Sequence, residues 1–224
     1  MSESLFTRSV RVLGAATVHA QLAAVRAAEY VRDLPPDLEA MTALDALDWC
    51  WPLIGRPEQQ TPVGDWITWV VLAGRGWGKS RTASQFVVAT AEEAGRQIAA
   101  GTLAVEQAKI LVVAPTSADL RDVCVEGDGG ILRSSPPWSR PIHEPSKRRL
   151  TWPTGVEAVL ISADEVDRIR GVQGIAAWGD EIATWPKLAE AFSNLRFAVR
   201  LGQRPRICLT TTPRRRKELR DIIE

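Results

Sequence analysis

Long apolar runs are absent from this sequence of 224 residues, and none approaches the roughly 20 residues that span a bilayer. Cysteine is scarce: Cys50, Cys124 and Cys208 lie far apart, with the spacing of neither a metal site nor a disulfide framework. The first residues, MSESLFTRSVRVLG, lack the apolar segment and cleavage site of a secretory signal. These absences argue against a membrane-spanning or disulfide-rich secreted protein and favour a reducing cytosol.

An excess of one charge sign is also missing, because the formal net charge is +1. The overall charge therefore does not indicate a nucleic-acid partner. Two local basic clusters, KRR at 147–149 and RRRK at 214–217, fit solvated ends of elements and DNA contacts equally well. Tyrosine occurs once against nine tryptophans, and we expect most of the tryptophans to serve packing.

The hydrophobic pattern changes along the chain. Apolar residues at helical spacing predict two N-terminal helices, at 15–32 and 37–51, separated by Pro35 and Pro36. We assign residues 1–60 to this helical region and a linker, and residues 61–224 to a core. The sequence stops within a final predicted helix, so we expect a domain cut from a longer chain.

Strands alternate with helices throughout the core. We expect strands at 66–73, 108–115, 174–181 and 204–213, and a hairpin joining 147–153 to 156–162 around Pro153-Thr154-Gly155. The helices are expected at 79–101, 117–126, 186–202 and 214–224. Continuous apolar strands separated by helices predict an α/β fold, with a mostly parallel sheet sandwiched between helices.

A phosphate-binding loop is indicated by the stretch WVVLAGRGWGKSRT, residues 69–82. A buried strand leads into a glycine-rich turn that opens a helix, and the backbone N–H groups and helix dipole there favour an anion. Lys79 is expected to reach the β- and γ-phosphates of a nucleotide, and the Ser80 hydroxyl to bind Mg²⁺. Ala73 replaces the usual first glycine, which is tolerable if that position needs no positive φ.

Two acids end the otherwise apolar stretch GIAAWGDE, at the carboxyl end of a predicted buried strand. Asp180 is expected to hold Mg²⁺, and Glu181 to orient and deprotonate the attacking water. Asp-Glu pairs also occur in ordinary polar turns, but the phosphate loop favours the catalytic interpretation. The strand ICLTTTP ends in Thr210, Thr211 and Thr212 at the same expected edge, where ligands bind in parallel sheets.

Together these motifs resemble the large subunit of tailed-phage terminases, the motor that packages double-stranded DNA into a procapsid. The resemblance covers about residues 50–217. It is carried by an ordered series of motifs: WPLIGRPEQQTP, LAGRGWGKSRT, VVAPTSADLRD, SADEVDRIRGVQG, WGDE and LTTTP. It implies a P-loop NTPase of the additional-strand catalytic-glutamate type that hydrolyses ATP with Mg²⁺.

The resemblance also implies roles for further residues. Arg75 resembles an arginine that contacts the γ-phosphate, and Gln60, with Gln59 as alternate and Arg56 nearby, resembles the adenine-side motif. Arg170 is the candidate for an arginine acting on a neighbouring subunit, with Arg168, Arg148 and Arg149 behind it; a solvated helix end explains it equally well. The threonines resemble the coupling motif. The residues expected to contact the nucleotide from the loop are Gly74, Arg75, Gly76, Trp77, Gly78, Lys79, Ser80 and Arg81.

The partners implied are double-stranded DNA, the portal protein, the small terminase subunit and further copies of the chain in a ring, in the host cell cytoplasm. An isolated chain is expected to be a monomer, and the nuclease domain usual in this family is expected to be absent. Two alternatives stay open at this stage: a helicase-like DNA-dependent ATPase, and a nucleotide-binding assembly module that does not hydrolyse. Glu181 argues against the second.

Overall fold

The structure is a computed structural model that describes residues 48–224. The chain divides into two units after Gln60, and the described parts of these units are residues 48–60 and 61–224. The helix predicted at 15–32 and most of that at 37–51 lie outside the described residues. In the first unit a short helix, α1 (Trp51–Ile54), precedes a 3-10 turn at Pro57–Gln59.

The second unit contains seven strands: β1 (Thr68–Leu72), β2 (Lys109–Ala114), β3 (Ile142–Glu144), β4 (Arg149–Thr151), β5 (Glu157–Ser162), β6 (Ala176–Gly179) and β7 (Arg206–Thr211). Its α-helices are α2 (Lys79–Ala99), α3 (Ser117–Asp119), α4 (Ile131–Ser134), α5 (Val166–Arg170), α6 (Leu188–Ala198) and α7 (Lys217–Ile223). Short 3-10 helices lie at Val105–Gln107, Pro137–Ser139, Pro145–Lys147 and Ile182–Thr184. Within residues 48–224 no helix is long and apolar enough to cross a membrane.

All seven strands form one sheet in the order β1-β7-β6-β2-β5-β4-β3. The first five are parallel, and β4 and β3 continue the sheet in antiparallel fashion. The predicted α/β class and mostly parallel sheet are therefore confirmed. Strand β7, the last in the chain, lies between β1 and β6, so it is the additional strand of the predicted P-loop type.

Both faces of the central strands β2, β6 and β7 are buried, which explains their continuous apolar sequences. The strand before the phosphate loop was predicted to be buried, but β1 lies at the edge of the sheet, and of its residues only Val71 is buried. Along β2, Ile110 and Val112 face a core formed with α2, while Leu111 and Val113 face a second core formed with α5 and α6. Successive side chains of a strand point to opposite faces, so a strand covered on both sides has no position for exposed polar residues. Strand β2 is therefore held between α2 on one face and α5 and α6 on the other.

Several predicted bounds differ from those in the structure. Strand β3 was not predicted, because three residues paired only with β4 leave almost no pattern. The helix predicted at 117–126 is a single α-turn followed by a π-helix at Leu120–Val125, a hydrogen-bonding pattern that propensity does not distinguish from an α-helix. The hairpin of β4 and β5 is confirmed.

Ion pairs tie the β3–β4–β5 end of the sheet together. Glu144 accepts hydrogen bonds from Arg149 (2.7 Å) and Lys147 (2.6 Å), and Arg149 also contacts Glu157. The hydrogen bonds from Arg149 and then Lys147 lower the pKa of Glu144 from 4.5 to about 2. This network fixes β4 beside β5, the strand that leads into α5.

We expect Glu144→Gln to lower the urea midpoint of unfolding at pH 7. A carboxyl group whose pKa falls on folding stabilises the fold above its unfolded pKa, and this contribution is lost as pH falls from 4.5 towards about 2. The difference between variant and wild type should therefore vanish across that range, as followed by circular dichroism. Glu106→Gln, an exposed site in the 3-10 turn before β2, is the control and should match wild type at every pH.

Candidate active site

The phosphate loop spans residues 73–78 between β1 and α2. Gly76 and Gly78 adopt positive φ angles of 76° and 96°, which a side chain would strain, and Gly78 is the N-cap of the 21-residue α2. Ala73 is not among the described residues with positive φ, so alanine is tolerated there. Its N–H donates to the Thr211 carbonyl at 3.2 Å, which extends the β1–β7 pairing to the start of the loop.

Lys79 is buried, with 8% of its surface exposed, and its ammonium lies at the centre of the site. Its Nζ donates to the carbonyls of Ala73 (3.1 Å) and Gly74 (3.2 Å) and to Oγ1 of Thr212 (3.2 Å). Oε1 of Glu181 is 3.4 Å away. The lysine is thus held by the loop, by β7 and by the acid after β6, in the place expected for a phosphate-binding lysine.

Glu181 has the left-handed backbone conformation, with φ 43° and ψ 47°. Its carboxylate accepts the Thr212 N–H at 3.1 Å and the Thr212 hydroxyl at 2.9 Å. Its carbonyl accepts the hydroxyl of Thr184 at 2.7 Å. A non-glycine residue in this region costs on the order of 1 kcal/mol, and such strain concentrates at functional positions.

Asp180 is 3% exposed and accepts a hydrogen bond from the Thr210 hydroxyl at 2.7 Å. Burial raises the pKa of Asp180 from 3.8 to about 6, and the Thr210 hydrogen bond opposes this rise. The charge of Glu181 raises the same pKa, and that of Lys79 lowers it. A buried carboxylate of this kind is a good ligand for a hard cation, since binding would compensate its lost hydration.

The three threonines predicted as one motif have three different contacts. Thr210 and Thr211 are fully buried, and Thr212 is half-buried. Thr210 contacts Asp180, Thr211 accepts the N–H of Ala183 at 3.1 Å, and Thr212 contacts Lys79 and Glu181. Thr212 therefore lies between the phosphate-loop lysine and Glu181, whereas Thr210 and Thr211 form hydrogen bonds to the loop that follows β6.

Sequence reasoning missed the residues that anchor this loop. The indole of Trp178 donates to Oγ1 of Thr210, and the indole of Trp185 donates to the Asp180 carbonyl at 2.9 Å. Arg216 donates to the carbonyls of Ala183 (3.1 Å) and Trp185 (2.8 Å). The sequence indicates only packing for these tryptophans and a charge cluster for this arginine, and nothing local marks the groups that they contact.

The other predicted loop residues have varied surroundings. Arg75 is exposed, Ser80 is half-buried in the first turn of α2, and Trp77 packs partly buried against the core beneath α2. Arg81 donates to the Arg133 carbonyl at 3.1 Å. Trp77 thus has a packing role in the structure, whereas Arg75 extends from the loop into solvent.

The predicted adenine-side residues belong to the first unit. Gln60 donates through Nε2 to the carbonyls of Trp51 (3.2 Å) and Gly55 (3.0 Å). Gln59 is buried and accepts the N–H of Arg56 through Oε1 at 3.2 Å. Both glutamine amides therefore stabilise the turn around α1, and their proposed contact with adenine stays a prediction.

The candidate trans-acting arginines fall into two groups. Arg148 and Arg168 share Glu165, and Arg149 is held by the Glu144 network. Arg170 is exposed at the end of α5, next to Gly171, which lines a cavity of about 400 Å³ at the amino end of β2. Within residues 48–224, Arg170 is thus the candidate that forms no ion pair.

The residues at the carboxyl edge suit ATP and Mg²⁺. Among residues 48–224 no group of three or more His, Cys, Asp or Glu side chains could hold a metal ion by itself. A site built from one carboxylate, a hydroxyl and phosphate oxygens is the arrangement that Mg²⁺ uses with nucleotides. Asp180 and Ser80 would supply that donor set, and the glycine-rich loop would supply N–H groups for the phosphates.

A family model described as "Terminase large subunit, T4likevirus-type, N-terminal" matches residues 70–224, well over half of the chain. The chain belongs to the terminase large subunit family. The match begins in β1 and continues past β7, so it includes the phosphate loop, the acidic pair and the threonines of this terminase domain. The family predicted from the sequence is thereby confirmed.

Weak likenesses to solved structures accompany this match. The terminase domain is 21% identical to the large terminase ATPase domain of Thermus phage P74-26, with a TM-score of 0.43, covering 66% of this chain and 59% of that one. It is 15% identical to the large terminase of a second, thermophilic bacteriophage, with a TM-score of 0.42, covering 74% of this chain and 37% of that one. The chain therefore spans less than two thirds of either structure. Curated proteins give no match.

We expect Asp180→Asn to stabilise this terminase domain at pH 8 in the presence of EDTA. A carboxyl group whose pKa rises on folding destabilises the fold increasingly as pH rises from its unfolded pKa of 3.8 to its folded pKa of about 6, and the full effect above pH 6 is at most about 3 kcal/mol. The amide keeps an acceptor for Thr210 without the charge. Thermal unfolding should show a higher midpoint at pH 8, with the gain shrinking as pH falls from 6 to 4.

Asp221→Asn, at an exposed position on α7, provides the matched control and should leave the midpoint unchanged. A lower midpoint for Asp180→Asn at pH 8 would contradict the argument from burial.

Proposed function

We propose that residues 61–224 form an ATPase domain that hydrolyses ATP with Mg²⁺ and drives double-stranded DNA into a procapsid. The observation that carries the proposal is the approach of Lys79 Nζ to Glu181 Oε1, 3.4 Å apart although β7 separates their strands. A phosphate-binding lysine beside a carboxylate provides two of the groups that nucleotide hydrolysis uses, one for the phosphates and one for the attacking water. A module that only binds nucleotide has no need of Glu181 at this position.

Nucleotide binding is assigned to the phosphate loop. Its N–H groups and Lys79 would hold the phosphates, and Arg75, exposed on the same loop, would balance charge on the γ-phosphate. Ser80 and Asp180 would hold Mg²⁺, which neutralises charge between β- and γ-phosphate oxygens. Family membership and the donor set at this edge support both assignments.

Glu181 is the proposed base. Its carboxylate is shared between Thr212 and Lys79, and a γ-phosphate drawn to Lys79 would compete for the second of these contacts. Glu181 would then orient water and accept its proton, while the Thr212 N–H keeps the carboxylate in place. Thr212 contacts both Lys79 and Glu181, so its position would change when the γ-phosphate replaces Glu181 as the partner of Lys79. This supports a role for Thr212 in coupling hydrolysis to movement.

The proposed partners are those implied by the family: double-stranded DNA, the portal protein, the small terminase subunit and other copies of the chain in a ring. We place the protein in the host cell cytoplasm and expect the isolated chain to be a monomer. We also propose that this chain does not itself cleave DNA.

The rate of ATP hydrolysis by a variant that lacks the Glu181 carboxylate tests the proposed function directly. We expect Glu181→Gln to bind Mg²⁺ and ATP normally, since glutamine keeps an acceptor for Thr212, but to hydrolyse it on the order of 10²–10⁴ times more slowly. Lys79→Ala should lose both binding and turnover. Phosphate release and calorimetry, each with and without duplex DNA, measure the two effects. Unchanged hydrolysis in Glu181→Gln would refute the proposed base.

The proposed trans-acting role of Arg170 is tested in assembled rings. A guanidinium supplied to a neighbouring nucleotide is worth about 10³–10⁵ in rate in related chemistry. We therefore expect Arg170→Ala subunits to inhibit mixed rings with wild type, measured as packaging-dependent hydrolysis, without changing the basal rate of the monomer. Arg200→Ala, another exposed arginine, is the control. An equal loss in monomer and ring would place Arg170 in a role within its own chain.

A further inference from the structure

The buried indole of Trp178 makes a polar contact that the proposed reaction does not use. Its Nε1 lies 3.0 Å from Oγ1 of Thr210, and the same hydroxyl oxygen lies 2.7 Å from Oδ1 of Asp180. Trp178 and Thr210 are fully buried and Asp180 is 3% exposed. Bulk water therefore cannot easily replace either donor in this chain of hydrogen bonds.

The direction of the chain follows from the chemistry of its members. An indole N–H is only a donor, so the Thr210 oxygen must accept from Trp178. The Thr210 proton is then left to be donated, either to Asp180 at 2.7 Å or to the Gly179 carbonyl at 3.3 Å. The shorter contact goes to the carboxylate, which is the stronger acceptor when ionised.

Strand register brings the three side chains together. Trp178 pairs with Cys208 across β6 and β7, and Asp180 and Thr210 each lie two residues further along. Alternate residues of a strand point to the same face, so indole, hydroxyl and carboxylate are neighbours on the face covered by α2. Trp178 belongs to the core under α2, which holds the indole in one orientation.

We infer that Trp178 is a positioning residue for the carboxylate of Asp180, and that it acts through the Thr210 hydroxyl. The inference rests on the proposed function, because it takes Asp180 as a ligand of Mg²⁺. A single hydroxyl donor fixes one carboxylate oxygen and leaves acceptor capacity for a cation. Partners that orient metal ligands typically contribute about 10- to 100-fold in metal affinity or activity.

A second buried tryptophan provides a control for the loss of indole volume in Trp178→Phe. Trp152 is 2% exposed and packs in the same core as Trp178. Among the described residues its Nε1 has no hydrogen-bond partner. Trp152→Phe therefore removes a buried indole without removing a hydrogen bond, whereas Trp178→Phe removes both.

The experiment measures the Mg²⁺ dependence of ADP binding by calorimetry, with no turnover involved. We expect Thr210→Val to need about 10-fold more Mg²⁺ for half-maximal binding. Trp178→Phe should shift in the same direction, and the double variant should be no worse than Thr210→Val alone. Thr210→Ser, which keeps the hydroxyl, and Trp152→Phe should both resemble wild type.

An NMR measurement on variants that keep Trp178 tests the hydrogen bond even if Trp178→Phe does not fold. The Nε1–H resonance of Trp178 in ¹⁵N-labelled protein should move upfield in Thr210→Val and stay in place in Thr210→Ser. Equal behaviour of Trp178→Phe and Trp152→Phe, or additive effects of Trp178→Phe and Thr210→Val, would overturn the inference. Asp180→Asn should lose Mg²⁺-dependent binding; if it does not, the metal assignment itself is wrong, whatever the other variants show.

Discussion

A buried negative charge is the constraint around which the carboxyl edge of the sheet is built. Asp180 is almost inaccessible to water, and a carboxylate in that position is unfavourable unless polar groups surround it. The Thr210 hydroxyl, the ammonium of Lys79 and the Trp178 indole behind Thr210 supply part of that environment. A bound magnesium ion would supply the remaining stabilisation of the Asp180 charge. The burial that makes this carboxylate unfavourable for folding would thus also make the edge suitable for a metal-bound nucleotide.

The position of β7 explains how these groups meet. The phosphate loop follows β1 and the acids follow β6, and a strand from the far end of the sequence separates the two. Its last residue and the residue after it contact both sides: the Thr211 carbonyl accepts the Ala73 N–H, and Thr212 contacts Lys79 and Glu181. The strand is also buried on both faces, with Cys208 in the core under α2 and Ile207 and Leu209 in the core under α5 and α6.

The sequence was sufficient for the groups that chemistry restricts most. Lys79 follows β1 after a glycine-rich loop, Asp180 and Glu181 directly follow the buried β6, and the parallel arrangement of these strands was itself predictable from their apolar pattern. The separate contacts of Thr210 and Thr212 could not be predicted, because they depend on the register of β7 with β6 and on β7 ending at Thr211, just before Thr212. Trp178 was indistinguishable from a packing residue, since its partner lies 32 positions away in the chain. The left-handed backbone conformation of Glu181 could not be predicted either, because glycine is the residue that normally adopts it.

That backbone conformation and the buried charge beside it have a consequence for the evolution of the domain. Two adjacent positions, Asp180 and Glu181, both lower the stability of the fold, one through lost hydration and the other through an unfavourable φ angle. Selection for heat resistance alone would favour replacing them, for instance by asparagine and glycine. Stability therefore does not account for either residue, and variants recovered from a purely thermal screen should be enriched in replacements at these two positions.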